Sequence, residues 1–140
     1  SVPEGLSRIN VKIRNLDGTE INGMGPVFGE DRTEELMEKL DSLGAGDVLV
    51  LAGSIPASLP DDMYSRILER LRGREILSLV DAEGDLLKNA LRYLPFLIKP
   101  NHHELGGLFS AEIRTREEAL PFAERLRALY EQVTSFRRRL

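Results

Sequence analysis

Short apolar runs and segments with helical periodicity alternate along the chain from residue 30 onward. The apolar runs are DVLVLAG (47–53), EILSLVD (75–81) and FLI (96–98). They lack the strict alternation of a strand with one solvated face, and near-continuous apolar strands are typical of parallel sheets. The pattern therefore predicts an α/β fold of parallel β-α-β units, with helices covering both faces of the sheet.

Helical spacing of apolar residues predicts five helices in this part of the chain. The first four are predicted over residues 33–43, 61–73, 86–94 and 101–109. The last begins with Thr115 and Glu118, which have the spacing of a capping box. Its expected buried residues are Ala119, Phe122, Ala123 and Leu126.

The first 29 residues have the pattern of a β-hairpin. Apolar residues alternate with polar ones over residues 9–13, the period of a strand with one buried and one exposed face. Asp17-Gly18 predicts a tight turn, and residues 19–22 the return strand. One face of this ribbon carries Arg8, Asn10 and Lys12. Such a face is either a solvated surface or a surface that binds a ligand.

Composition excludes several classes of function. At 140 residues the chain has the length of one domain, and its net charge of −4 gives no attraction to nucleic acid or anionic lipid. The basic run 137–139 is interpreted as a solvated end. Since cysteine is absent, disulfides, thiolate metal sites and thiol nucleophiles are excluded, and a reducing cytoplasm is expected. No apolar segment reaches the roughly 18 residues of a membrane span, and no signal peptide is recognisable.

Polar residues follow each of the three predicted parallel strands. The exits carry Ser54 after the first strand, Asp81 after the second, and Lys99 with Asn101 after the third. Ligands of open parallel sheets bind beyond the carboxyl ends of the strands, which predicts a phosphate or sugar site here. Asp81 can instead be a capping or turn residue. Ser54 has no sequence-local base, which favours a phosphate-binding or turn-forming hydroxyl over a nucleophile.

The segment that follows the third strand also has a purely structural interpretation. Asn101 and Glu104 have the spacing of an N-cap and its N3 partner, so a capping box alone can explain them. His102 and His103 are adjacent on the predicted helix and are expected to point in different directions. A metal ion held by both histidines is therefore not expected.

Five segments, taken together, resemble one known family. They are SRINVKI (7–13), TEINGMGP (19–26), LAGSIPASLP (51–60), LVDAEGDLLKNAL (79–91) and FLIKPNHHEL (96–105). In this order and spacing they resemble ribokinase-like carbohydrate kinases of the phosphofructokinase-B type, nearest to the 1-phosphofructokinase and tagatose-6-phosphate kinase branch. The resemblance implies a ribokinase-like three-layer sandwich, of which residues 30–140 form part of the core and residues 1–29 a lid ribbon. It also implies transfer of the ATP γ-phosphoryl group, with Mg²⁺, to a ketohexose phosphate.

The resemblance further assigns roles to individual residues. Asn101 and Glu104 match the N-x-x-E element that helps to place magnesium and phosphates, Glu104 acting on Mg²⁺ indirectly, and Lys99 lies toward the nucleotide phosphates. The matches to the substrate-binding positions are Arg8, Asn10, Lys12 and Ser54, and Asp81 is a further candidate. The lid would exclude water, which competes as phosphoryl acceptor.

Departures from the family pattern carry their own expectations. Three elements of the family are not recognisable: the amino-terminal strands with the sugar-binding Asp, the Gly-Ala-Gly-Asp element with the catalytic base, and a nucleotide-binding segment. In addition, the segment TSFRRRL (134–140) does not resemble the expected strand. We therefore expect a fragment that has no kinase activity by itself. Unpaired strands favour a homo-oligomer formed through the lid or a sheet edge. The alternatives are a non-catalytic sugar-phosphate-binding module and a structural α/β module.

Overall fold

The computed structural model describes residues 9–13, 19–23 and 27–137 of the chain. Its strands are β1 (Asn10–Ile13), β2 (Thr19–Asn22), β3 (Val48–Ala52), β4 (Leu77–Asp81) and β5 (Leu97–Ile98). Its helices are α1 (Glu30–Leu40), α2 (Met63–Arg70), α3 (Gly84–Leu91), α4 (His102–Phe109) and α5 (Arg116–Arg137). In the part of the chain thus described, no helix is both long and apolar enough to cross a membrane.

The amino-terminal ribbon is present as predicted. β1 and β2 pair antiparallel, with Asn10 opposite Asn22 and Ile13 opposite Thr19. The predicted turn at Asp17-Gly18 lies outside the described residues. The expected buried face is wrong, because Ile9, Val11 and Ile21 are 66%, 47% and 59% exposed. A two-stranded ribbon has no apolar layer of its own to bury these side chains against.

The three remaining strands form a parallel sheet in the order β3-β4-β5, which confirms the predicted parallel units. Val50, Leu79 and Leu97 lie side by side across it, as do Leu51, Val80 and Ile98. Because the strands are parallel and in register, all three carboxyl ends lie at the same edge of the sheet. The three predicted exits therefore share this edge.

Helices cover one face of this sheet. Leu51 and Val80 point into a core formed with α1, α2 and α3, and Val80 is only 1% exposed. The residues that alternate with them along the strands point the other way: Val48 and Val50 are each 58% exposed and Leu97 is 50% exposed. The expectation of helices on both faces is thus wrong for the described residues. We call the apolar side of the sheet the open sheet face; it comprises Val48, Val50, Leu77, Leu79 and Leu97.

The boundaries of α1, α2 and α3 differ from the predicted ones by two or three residues, whereas α4 starts one residue later than predicted and ends where predicted. α1 begins at Glu30 and ends at Leu40, three residues earlier at each end than predicted. α3 begins at Gly84 rather than residue 86. α2 starts at Met63, and the chain leaves it through Gly73 at φ +80, a left-handed conformation that glycine adopts without strain.

The last helix begins with the predicted capping box. The Glu118 amide donates to Thr115 Oγ1 at 3.2 Å, and the Glu118 carboxylate accepts from the Thr115 amide at 3.4 Å. The predicted burial is wrong: Ala123 is exposed, and Ala119, Phe122 and Leu126 are half-buried. The physical reason is that α5 packs mainly against α4, through contacts such as that of Phe122 with Phe109, instead of entering the core. Residues 134–137 continue this helix.

An ion-pair cluster joins the ends of α1 and α2. Arg70 contacts both carboxylate oxygens of Asp41, one of them at 2.9 Å. Arg74 donates to the Asp41 backbone carbonyl at 2.9 Å and to its carboxylate at 3.1 Å. The Arg70 hydrogen bond is the main cause of a lowered Asp41 pKa. The cluster thus links the carboxyl ends of α1 and α2 at the surface.

Acid should weaken the fold through two surface carboxyl groups. Hydrogen bonds from Lys39 and Arg32 lower the pKa of Glu35 from its ordinary 4.5 to about 2, and the Asp41 pKa is lowered too. Because these folded-state pKa values lie below the unfolded ones, their stabilisation is complete above about pH 4.5 and is lost as the pH falls toward 2. Both groups are solvent-exposed, so salt should reduce the effect.

Thermal unfolding between pH 7 and pH 2.5 at low salt tests this expectation. Glu35→Gln should lower the melting temperature at pH 7 and make it less dependent on pH below 4.5. Glu34→Gln, which removes a carboxylate from the same helix, is the matched control. Identical acid sensitivity of wild type and Glu35→Gln would contradict the assignment.

Candidate functional site

The three strand exits are joined to one another. The side chain of Lys99, which follows β5, forms an ion pair with that of Asp81, at the end of β4, with Nζ 2.9 Å from Oδ1. The Gly53 amide, which follows β3, donates to the Asp81 carbonyl at 3.0 Å. The structure thus brings Lys99 and Asp81 into contact and places Ser54 one residue from the same network.

The ion pair is open to solvent. The side chains of Lys99 and Asp81 are 71% and 40% exposed. Exposed ion pairs contribute little to stability, typically about 0–1 kcal/mol, so the fold does not require this contact. An anion that approaches the exits can therefore take the Lys99 amino group from Asp81 at low cost. An ion pair that can be exchanged at so low a cost suits a phosphate-binding role.

A complete capping box opens α4. The Glu104 amide donates to Asn101 Oδ1 at 2.9 Å, and the Asn101 amide donates to Glu104 Oε2 at 2.7 Å. Asn101 Nδ2 also donates to Glu104 Oε1 at 2.7 Å. The capping interpretation is therefore correct as a description of the fold. It leaves a ligand role open, because each carboxylate oxygen can accept a second hydrogen bond.

The carboxylates at the exits fit a magnesium ion held mainly by other groups. Mg²⁺ keeps several waters and is usually bound by one or two carboxylates together with substrate phosphates. Glu104 and Asp81 could each accept from a metal-bound water at this edge. Within the described ranges, no cluster of three or more acidic or histidine residues forms a metal cage. A metal here would thus depend on nucleotide phosphates for its remaining ligands.

Tyr64 is a site component that the sequence pattern did not reveal. It lies on α2 among the buried apolar residues of that helix and is itself only 6% exposed. Its hydroxyl donates to the Gly53 carbonyl at 3.1 Å, directly beside Ser54. The available signal was chemical, because a buried tyrosine hydroxyl needs a hydrogen-bond acceptor.

Other candidate residues are placed only in part. Arg8 and the side chains of Asn10 and Lys12 lie outside what the structure describes. The rings of His102 and His103 lie against each other, with centroids 3.9 Å apart, so the expectation that they point in different directions is wrong. Both occupy the first turn of α4, where no preceding turn confines their side chains.

Two cavities lie away from the joined exits. One of about 900 Å³ opens at the amino ends of β4 and β5, beside Tyr93 and Phe96. Another, of about 380 Å³, lies between α1 and the loop after β3, beside Phe28 and Pro56. Neither is lined by a residue of the joined exits. Polar chemistry rather than cavity volume thus identifies the exits as the candidate site, an open wall rather than an enclosed pocket.

Known proteins match both the sequence and the fold. The family model of the pfkB family carbohydrate kinases matches residues 4–134. The 1-phosphofructokinase of Bacillus subtilis is 45% identical over 123 residues, which cover 88% of this chain and 41% of the relative. The D-tagatose-1-phosphate kinase of Bacillus licheniformis is 36% identical over 84% of this chain and 38% of its own length.

Solved structures agree with this assignment. A putative phosphofructokinase from Staphylococcus aureus superposes with a TM-score of 0.64 at 32% identity, covering 84% of this chain and 38% of the other. The phosphofructokinase-2 of Escherichia coli in complex with substrates and products gives 0.70 at 24% identity, covering 85% and 39%, and shows the fold alone. The chain spans about two-fifths of the length of these relatives. It belongs to the pfkB family of carbohydrate kinases and has their ribokinase-like α/β fold.

Proposed function

We propose that this chain supplies the phosphate- and magnesium-positioning wall of an ATP-dependent sugar-phosphate kinase. The observation that carries the proposal is the joining of the strand exits, with the Lys99 and Asp81 contact beside the Asn101 and Glu104 capping box. Phosphoryl transfer requires mainly positioning and charge stabilisation, which these groups can supply.

The nucleotide side of the site uses the two later exits. Lys99 contacts the ATP phosphates after leaving Asp81, which neutralises part of their charge. Glu104 would help to hold Mg²⁺, while its hydrogen bonds with Asn101 keep the carboxylate in place. Asp81, released from Lys99, would supply a second carboxylate for the cation. When bound, magnesium neutralises charge that develops on the transferred phosphoryl group.

The acceptor side uses the first exit and the ribbon. Ser54 is exposed at the carboxyl end of β3, where its hydroxyl can donate to the phosphate that the sugar already carries. Arg8, Asn10 and Lys12 would hold the same dianion from the lid ribbon. Charge-assisted hydrogen bonds to a dianion are about twice as strong as neutral ones, so they orient the sugar as well as bind it.

Fructose 1-phosphate is the acceptor that we propose. The 1-phosphofructokinase of B. subtilis is more similar to this chain than the D-tagatose-1-phosphate kinase, at 45% against 36% identity. The test is a chimera in which residues 4–134 replace the matching segment of the B. subtilis enzyme. We expect ADP release that depends on fructose 1-phosphate and exceeds the release with tagatose 1-phosphate or tagatose 6-phosphate. A folded chimera without sugar-dependent turnover would refute the proposal.

The 140-residue chain by itself should show no sugar-dependent ADP release. It spans 41% of the similar B. subtilis enzyme, and the family resemblance assigns no residue of this chain as the base for the acceptor hydroxyl. The chimera above is the positive control in the same coupled assay. Turnover by the pure chain that disappears in Lys99→Ala would show that the prediction is wrong.

A non-catalytic sugar-phosphate-binding module is the second candidate. It is favoured by the intact contacts at the strand exits in a chain that spans only part of its relatives. Calorimetric titration of the chain with fructose 1-phosphate distinguishes a binding module from an inert fragment. In either case a cytoplasmic location remains our proposal.

We also propose that a second copy of the chain covers the open sheet face or pairs with the exposed edge of β3. The five residues that define the face are all apolar, so none of them opposes self-association by its charge. Val48→Thr with Val50→Thr keeps the β-branched shape and should reduce the mass measured by light scattering. Val27→Thr, at a position 74% exposed outside the face, is the control. A wild-type monomer at high concentration would contradict the prediction.

A further inference from the structure

Tyr64 contributes a hydroxyl group to the site from inside the core. It lies on α2 among the buried residues Met63, Ile67 and Leu68. Its hydrogen bond to the Gly53 carbonyl is the contact that joins this helix to the first strand exit at 3.1 Å. A phenylalanine would fill the same core space, so packing alone does not explain the hydroxyl.

Gly53 is held from both sides. Its amide donates to the Asp81 carbonyl at 3.0 Å, and its carbonyl accepts from Tyr64. Its φ of +90 is a conformation that favours glycine, so the chain turns sharply between β3 and Ser54. The hydrogen bond to the Gly53 carbonyl therefore restrains the plane of the Gly53–Ser54 peptide, and the bond from the Gly53 amide restrains the peptide before it.

The direction of the Ser54 amide follows from that plane. Every described peptide bond is trans. In a planar trans peptide the N–H points opposite to the C=O. Because the Gly53 carbonyl points inward to Tyr64, the Ser54 N–H points away from the core, at a residue that is exposed.

The Tyr64 hydroxyl is suited to act as a donor at neutral pH. Burial raises the pKa of Tyr64, and the nearby Asp81 carboxylate raises the pKa further. The group therefore stays protonated and can donate to Gly53 throughout the physiological range. The two hydrogen bonds of Gly53 link Tyr64 to the network that contains Asp81 and Lys99.

We propose that Tyr64 is a positioning residue, whose hydroxyl fixes the Gly53–Ser54 peptide so that the Ser54 amide donates to the phosphate of the sugar acceptor. This inference rests on the proposed function, because it assigns a backbone donor to the same acceptor site. A preorganised amide binds an anion without the cost of ordering the loop at the moment of binding.

Tyr64→Phe tests the inference because it keeps the ring and removes only the hydroxyl. We expect the backbone order parameter of the Ser54 amide to fall, and the affinity for fructose 1-phosphate to weaken by about 5- to 10-fold, the effect of one net hydrogen bond. The order parameter is obtained from NMR relaxation of the labelled chain. The affinity is obtained from NMR titration with fructose 1-phosphate and, separately, inorganic phosphate. Tyr93→Phe, beside the cavity at the other end of the sheet, should change neither.

The outcomes separate the inference from the proposed function. Unchanged affinity and order in Tyr64→Phe would overturn the inference and leave the proposed function standing. A wild-type chain that responds to neither anion would contradict the proposed function and the inference with it. If Tyr64→Phe does not fold, the wild-type titration decides: a bound sugar phosphate that leaves the Ser54 amide resonance unmoved overturns the role of Tyr64.

Discussion

Gly106→Ala is expected to lower the free energy of unfolding by about 2–3 kcal/mol, although alanine is the better helix former. A methyl group at Gly106 would lie 2.3 Å from the Ala111 carbonyl oxygen and 3.5 Å from Ile113 Cγ1. The obstacle is backbone, which cannot rotate aside as a flexible side chain can. The segment after α4 must therefore move or the helix must distort.

The close approach at Gly106 holds the end of α4 in place. The Ala111 amide donates to the Gly106 carbonyl at 2.9 Å, and Ser110 between them has a left-handed φ of +53. This turn brings Ile113, only 1% exposed, back against the helix. Displacing the turn would thus expose a core residue and loosen the helix that begins with the capping box.

The next residue along the chain provides a matched control. A methyl group at Gly107 would meet no atom of a neighbouring segment within 4 Å, and Gly107 is exposed to solvent. Gly107→Ala should therefore raise the free energy of unfolding by about 0.5–1 kcal/mol through helix propensity. Urea unfolding of both variants measures the two effects. Equal behaviour of the two variants would show that the contact at Ala111 does not constrain the helix.

The contrast between these glycines shows what the sequence could not predict. Gly106 and Gly107 are adjacent and identical in the sequence, and helical periodicity predicted the helix that contains both. Which of them faces a returning segment depends on the path of residues 110–113. That path is set by a left-handed turn at a serine, which sequence patterns rarely indicate.

The sheet shows a similar division between local and distant information. Apolar runs predicted β3, β4 and β5, with bounds that differ from the observed ones by at most two residues. The same runs suggested burial on both faces, since Val50 and Leu51 look alike in sequence. Only Leu51 contacts helices of this chain, because the described residues form one layer of helices. The composition of a strand indicates that both of its faces can be buried. It does not indicate which segment covers each face.

The strand exits could be predicted as a site, because ligands of open parallel sheets bind beyond the carboxyl ends of the strands. The contact of the Tyr64 hydroxyl with this site could not be predicted in the same way. The contact between Lys99 and Asp81 follows from two neighbouring parallel strands that end together. The Tyr64 hydroxyl approaches from a helix whose periodicity indicates only a core position. Its hydrogen-bond acceptor, the Gly53 carbonyl, lies 11 residues away in the sequence, and helical periodicity does not indicate that the two meet.

Glu104→Gln in the chimera is expected to lower the rate of phosphoryl transfer by about 10²-fold while leaving stability within about 0.5 kcal/mol. Glutamine can take the N3 position of a capping box, because its side-chain carbonyl still accepts from the Asn101 amide. What it loses is the negative charge that would orient magnesium. The variant therefore separates the two interpretations of the same pair of residues.

Asn101→Ser supplies the complementary control. Serine is as good an N-cap as asparagine, so its hydroxyl should still accept from the Glu104 amide. It lacks the Nδ2 donor that holds Glu104 Oε1 at 2.7 Å, so the carboxylate should be less well ordered. We expect a smaller loss of rate than for Glu104→Gln, about 10-fold, again at nearly constant stability.

Rate and stability measured together decide between a cap and a site. If the Glu104 carboxylate serves magnesium, Glu104→Gln should lose rate, and higher magnesium concentrations should restore part of it, because weaker metal binding is offset by mass action. If the pair is only a capping box, Glu104→Gln should keep both rate and stability. A loss of both together would mean that glutamine cannot close the box, and Asn101→Ser would then distinguish a broken helix start from a misplaced metal. The capping box fixes the first turn of α4 at the edge where the strand exits meet, so a single hydrogen-bonded pair can define the helix start and hold the carboxylate that would orient magnesium.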